Sequence, residues 1–286
     1  SSWTTLTTNG TSPVSWVTPS TASTQCLIKV TNSADAAMVD TSDANFKLCA
    51  GFNLIAPNGG ETWANANAHN IYWSTTGTVA NVKLEYSANG GTAWTDIIAS
   101  TTNNNQYSWT PSVTTGGTNY VIRVSDVLDS DSKDVSTSAF TIAKVAVSAP
   151  TVGQRIEAGT SPNITWAAGG IANVKIEYSV NDGSWTQITG AESVDATLGT
   201  YSWSIPSSFT TSTNVKVKIT STAADTDGVY ASSTSSAFTV YGQLTLDIPS
   251  AADIDWNANE SHDITWTTNI GTINNIKIEY STDNFV

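Results

Sequence analysis

Hydrophobic and polar residues alternate in short runs along much of the chain, and one such run returns three times. It reads VKLEYS at 82–87, VKIEYS at 174–179 and IKIEYS at 276–281. In the first copy Val82, Leu84 and Tyr86 fall on one side while Lys83, Glu85 and Ser87 fall on the other. That is the period of two required of a half-buried strand. YVIRVS at 120–125 repeats the device, with Tyr120, Ile122 and Val124 inward and Arg123 outward. Each VKLEYS-type run follows an apolar-x-Trp triplet that ends at Trp73, Trp166 or Trp266. These indoles recur at one phase beside an inward isoleucine, which predicts that they plug a core. No stretch shows the 3.6-residue spacing of an amphipathic helix.

A second set of elements repeats with the first. QYSWTPS, YVIRV and SAFTIAK correspond downstream to TYSWSIPS, VKVKI and SAFTVYG, and upstream to PVSWVTPS, CLIKV and ANFKLCA. The period is about 95 residues, the size of one immunoglobulin-type sandwich. Within the best-preserved copy, strands are predicted near 52–56, 69–73, 81–87, 94–98, 106–109, 118–125 and 137–143. Asn-Gly-Gly at 89–91, Asn-Asp-Gly at 181–183, Pro111 and Pro206 punctuate the hairpins. Short strands at this spacing predict an all-β chain of tandem antiparallel two-sheet sandwiches, immunoglobulin-like or fibronectin III-like.

The phase of the repeats divides the chain into a C-terminal half-unit (1–51), two whole units (52–143 and 144–241) and an N-terminal half-unit (242–286). Read end to beginning, YSTDNFV followed by SSWTTL forms a hairpin of ordinary length. A half-sandwich leaves an apolar sheet face and unpaired strand edges in water. The expectation is therefore that the two halves complete one another between successive subunits, making a head-to-tail homopolymer. The alternative is a carbohydrate-binding or adhesive segment of a large secreted surface protein, whose ends continue into further repeats.

The run APNGGETW, HNIYW, VKLEYS, YSWTPS, YVIRVSD, STSAFTI resembles the immunoglobulin-like repeat of the Ser-Thr-rich, GPI-anchored cell-wall protein family, whose relatives sit in large secreted and surface proteins. The resemblance covers the chain as repeats and is best over 52–143. It implies a β-sandwich, an extracellular or cell-surface location and a structural or adhesive role, and it brings no catalytic residues. The unit at 144–241 departs from the pattern, with TVGQRIEAG where the first has NGGETWANAN.

Composition narrows the function classes. The 286 residues are 39% hydrophobic and only 12% charged, yet carry a net charge of -13. An acidic surface excludes a nucleic-acid partner, which needs lysine and arginine to displace counterions. No apolar run reaches the ~18 residues that cross a bilayer. Dense Ser and Thr, with sequons at Asn9, Asn163 and Asn259, fit an extracellular, N-glycosylated surface.

Candidate chemistry is sparse. Cys26 opens one strand and Cys49 closes its antiparallel neighbour, which predicts a disulfide, with a bulge needed to bring both to one face. Acidic loops hold Asp35, Asp40 and Asp43, then Asp126, Asp129, Asp131 and Asp134, then Asp225 and Asp227. Such runs offer oxygen ligands to calcium, although they lack the glycine and closing glutamate of the helical calcium loop, and polar turns are rich in Asp for their own reasons. His69 and His262 share a phase but neither has a cysteine or second histidine in its unit, against zinc. No Gly-x-Ser-x-Gly elbow is present, no cofactor motif occurs, and no enzyme activity is expected. Trp3, Trp94 and Trp185, with Trp63 and Trp256, would stack on sugar rings of a surface polysaccharide if exposed in a row; packing is the simpler use of them.

Overall fold

The computed structural model of the chain describes residues 2–250 and 254–282. The join expected between the residues after Thr282 and Ser1 lies outside the described residues. Strands dominate, and the helical content of the described residues is one 3-10 turn, Ala196–Leu198. The chain forms two compact units: residues up to Ser112 with Gly117–Ile142, and Val113–Gly116 with the residues from Ala143 onward.

In the first unit one sheet orders Gly51–Ala56, His69–Thr76 and Gln106–Trp109, with Leu54 opposite Trp73. The facing sheet orders the start of Phe140–Ala149, then Gly117–Asp126, Asn81–Ser87 and Thr95–Thr102. This is a three-on-four antiparallel sandwich of the immunoglobulin-like kind. Alternation drives it: Ile71, Val82, Leu84, Ile122, Val124 and Ile142 are all fully enclosed. The predicted strands stand where expected, with two additions. Thr62–Ala64 pairs with the Phe140 strand, and Lys133–Val135 pairs with Gly117–Asp126. The last strand begins at Phe140 rather than 137. Residue Ser136, just before it, spends its hydroxyl on the backbone, accepting from Ile122 N at 2.9 Å and donating to Pro57 O at 2.9 Å.

The second unit repeats this order. Residues from Lys144 to Ala149 pair with Asn163–Gly169, which pairs with Thr200–Ser202. Opposite lie Phe238–Tyr241, Ser212–Ser221, Asn173–Val180 and Thr186–Gln187. The departure of TVGQRIEAG from the repeat leaves the fold intact. Ile156 takes the place of Trp63 in the core, and its strand Arg155–Glu157 runs parallel to Phe238–Tyr241.

Further antiparallel strand pairs accompany these sandwiches. In the first unit, Ser23–Cys26 pairs with Phe46–Leu48 and Lys29–Thr31 pairs with Val39–Thr41. Their register copies the whole sandwiches. Cys26 stands opposite Phe46, as Tyr120 stands opposite Phe140 and Val215 opposite Phe238, each ladder with an irregularity beside the pair. In the second unit, Gln243–Ile248 pairs with Thr265–Ile270, and Leu246 stands opposite Trp266 as Leu54 does opposite Trp73.

The disulfide expected between Cys26 and Cys49 is not what the structure holds. Both are free thiols, Cys26 half-buried and Cys49 exposed. The register explains it. Cys26 is opposite Phe46, so Cys49 lies further along the strand by about 10 Å, beyond the reach of a disulfide.

Candidate functional site

The clearest departure from a closed fold lies in the Gln243–Ile248 and Thr265–Ile270 hairpin. Its side chains occupy the positions that fill the cores of the whole sandwiches. Trp73 is 1% exposed and Trp166 5%, whereas Trp266 is 41% exposed. Ile71 and Ile164 are fully enclosed, whereas Ile264 is 40% exposed, and Leu244, Leu246 and Ile248 face solvent with them. The indole N–H groups of the buried copies are satisfied, Trp73 donating to Asn103 Oδ1 at 2.8 Å and Trp166 to Ala196 O at 3.0 Å. The hairpin thus keeps the residues and register of the repeat, and among the described residues no second sheet covers this face.

The local geometry of the repeat is nevertheless preserved in it. Trp256 stacks on His262 with ring centroids 4.7 Å apart and an interplanar angle of 4°, copying Trp63 on His69 at 4.9 Å and 4°. His69 is buried with Nε2 3.0 Å from Ala64 O, a structural role consistent with the absence of metal partners in its motif.

The alternating run IKIEYS behaves differently in its three copies. It is a strand at Asn81–Ser87 and at Asn173–Val180, but residues 273–281 belong to no strand. In the whole sandwiches this run lies between two neighbours, for example Gly117–Asp126 and Thr95–Thr102. At 273–281 no neighbour is present among the described residues, so the pattern has no ladder to join. Tyr280 is 90% exposed, whereas Tyr86 and Tyr178 pack against Trp109 and Trp203 with centroids 5.2 Å apart in each case.

The hairpins of residues 2–49 show the reciprocal condition. Val14, Val17, Val30 and Val39 are exposed, although Val124 and Ile219, which match Val30, are fully enclosed. Trp16, the match of Trp109 and Trp203, touches Phe46 at 6.3 Å and is half-buried.

A feature that sequence alternation misplaces is Glu85. It was expected on the outer, polar face, and it points there, yet it is only 5% exposed. Arg123 Nη2 lies 2.6 Å away and Lys83 Nζ 3.0 Å away, and the Trp94 ring covers the guanidinium at 4.2 Å. Lys83, hydrogen-bonded to Asp96 and to Glu85, titrates above the ordinary lysine range. The only signal that could have revealed this is the recurrence of Lys-x-Glu beside Arg/Lys and Trp in both units.

Carboxylates of the acidic loops bind backbone N–H groups and pair with Lys47. Lys47 pairs with Asp131 and, at 3.6 Å, with Asp129. Burial pushes the Asp129 carboxyl up, but the Asp131 N–H, the Ser132 hydroxyl and Lys47 together hold it below the usual carboxylate value. Asp134 accepts from Leu54 N at 2.7 Å, Asp35 from Ala37 N at 3.0 Å, and Asp225 from Val229 N at 2.7 Å. Among the described residues no group of three or more His, Cys, Asp or Glu side chains converges as a metal would require.

An open depression of about 370 Å³ lies beside Lys83, Arg123, Asp126 and Lys133. Lys83 and Arg123 are already engaged with Glu85. The five candidate tryptophans do not form one exposed row. Trp63 is buried, Trp94 and Trp185 are half-covered by Arg123 and Lys218, and Trp3 and Trp256 are exposed. Asn9, Asn163 and Asn259 are all exposed. No helix among the described residues is long and apolar enough to cross a membrane.

No protein-family model matches the sequence, and no curated protein matches it. Solved structures that match are β-sandwich chains. Fibronectin(III)-like modules of CbhA from Clostridium thermocellum are 18% identical, covering 66% of this chain and 93% of that one at a TM-score of 0.24. DIP-gamma IG1+IG2 is 10% identical, covering 68% of this chain and 99% of that one at 0.28. The N-terminal four Ig domains of Dscam1 are 6% identical, covering 74% of this chain and 54% of that one at 0.27. The immunoglobulin-like assignment itself rests on the strand order described above.

Proposed function

We propose that this chain is a structural, non-enzymatic subunit of an extracellular or cell-surface filament. In this reading the chain consists of a half-unit, two whole units and a second half-unit. The 2–49 hairpins of one copy and the 243–281 segment of another close into one composite sandwich. The observation that carries it is the exposure of Trp266 and Ile264, whose counterparts are enclosed in both whole sandwiches. Burying a fully exposed side chain of this kind contributes about 1.5–3 kcal/mol, and these start roughly half exposed, so the apolar face favours association only through several contacts made together. The shared register of the half-ladders and whole ladders supports the same reading, because a complementary half meets a template it already matches. So does the sequence resemblance to repeats of secreted and surface proteins, together with the Ser/Thr-rich exterior and exposed sequons.

The test is concentration-dependent assembly of the purified chain, followed by sedimentation and electron microscopy. Filaments with a repeat of three sandwiches per subunit are expected. A chain that stays monomeric at every concentration, with 243–281 open, rejects the reading.

A further inference from the structure

Both whole sandwiches carry a four-membered stack on their outer face. Glu85 stands directly opposite Arg123 on the adjacent strand, with Lys83 on the second carboxylate oxygen and Trp94 over the guanidinium. The second sandwich builds the same stack from different residues. Glu177 stands opposite Lys218, 3.2 Å away, with Lys175 at 3.4 Å and Trp185 over Lys218 at 4.4 Å.

The same four positions occur once more, but divided. Trp3 covers Lys29 at 4.6 Å within the 2–49 hairpins. Lys277 pairs with Glu279 at 2.5 Å in the 273–281 segment, where both side chains are mostly exposed. Each fragment has formed its own half of the stack and faces solvent where the other half belongs.

We infer that Glu279 of one copy pairs with Lys29 of a second copy, directly across adjacent antiparallel strands, and that this pair sets the register of the joint. The inference rests on the composite-sandwich reading and names the contact that selects the partner. Placing Glu279 opposite Lys29 puts Tyr280 opposite Ile28 and brings it towards Trp16, as Tyr86 is opposite Ile122 and stacks on Trp109. Many apolar strands could cover the exposed face of the hairpin. Only one with a cation at this position gives Glu279 a second cation beside Lys277, as Arg123 does for Glu85 beside Lys83. A slip by one residue would turn every side chain to the wrong face.

Charge reversal in the full-length chain tests the inference. Lys29→Glu and Glu279→Lys are purified separately, and the concentration at which each assembles is measured by light scattering and electron microscopy. Alone, each variant should need at least about tenfold more protein than the wild type, because every joint opposes like charges. Mixed in equal amounts, the two should assemble near the wild-type concentration as an alternating copolymer, since each joint then pairs opposite charges. Unchanged thermal unfolding of both variants checks that the whole sandwiches remain folded. Single variants that assemble like the wild type, or a mixture no better than either alone, overturn the ion pair. A wild-type chain that never assembles rejects the composite sandwich itself, and the inference with it.

Discussion

Glu85 and Arg123 face one another across adjacent strands with Oε2 and Nη2 2.6 Å apart, on the outer side of a sheet whose inner side buries Val82, Leu84, Ile122 and Val124. The pair is shielded by Trp94 and Lys83 rather than by the core. Replacing Arg123 with Ala strands the carboxylate under the indole with one cation left, and should cost about 3 kcal/mol in urea unfolding. A double-mutant cycle with Glu85→Gln should give a coupling above about 1 kcal/mol.

Trp73 and Trp266 are the same residue of the repeat in two environments. Trp73→Ala should destabilise its sandwich by about 3–5 kcal/mol, through the cavity left and the lost hydrogen bond to Asn103 Oδ1. Trp266→Ala should change the stability of dilute, unassembled chain by less than about 1 kcal/mol while weakening assembly. Paired denaturation and sedimentation measurements on both variants check the contrast.

Ser136 ties three segments together through one buried hydroxyl, accepting from Ile122 N and donating to Pro57 O. Ser136→Ala leaves a backbone N–H without its acceptor, so a loss of about 1–3 kcal/mol is expected in equilibrium unfolding. Ser235 makes the matching bond to Val217 N at 3.0 Å, and Ser235→Ala should act alike on the second unit.

Acid should loosen both units, since Asp129 of the first is also held below the ordinary carboxylate value. Hydrogen bonds from Lys216 and Asn214 hold Asp182 below the ordinary carboxylate value of 3.8, and those from the Thr197 hydroxyl and N–H do the same for Asp195. A carboxylate with a depressed folded pKa binds fewer protons in the folded state. Its contribution is complete above the unfolded value and disappears as pH falls through the folded one. Melting temperature should hold constant above about pH 5 and fall below pH 4, with a shallower fall in Asp195→Asn.

The two thiols should differ in reactivity. Cys49 is exposed and Cys26 half-buried behind its strand, so a thiol-specific reagent should label Cys49 first in native protein, and both in denaturant. Mass spectrometry of the labelled chain reads the order.

The inward residues were legible in sequence because alternation is a local property, so Val82, Leu84, Ile122 and Val124 could be placed before any neighbour was known. Trp73 and Trp166 followed from repeat phase. Glu85 could not be placed in this way, because its burial depends on Arg123 and Trp94, which are distant in sequence. The cysteine pairing failed for a related reason. Which residue stands opposite Cys26 is set by the ladder irregularity between Ser23 and Cys26, and no composition rule reports it. The repeat also marked 276–281 as a strand, but a strand exists only beside another, and there the pattern stands without one.

The missing ladder at 273–281 also bears on timing. In the proposed composite sandwich, ordering that segment and docking it would be a single event, so a first encounter would gain little until several residues had zipped into place. Once seated, the strand would have to peel away along its whole length before the link opened. Slow initiation and long-lived links would then be properties of the same few residues, and end-on tension would be resisted by backbone bonds acting in shear.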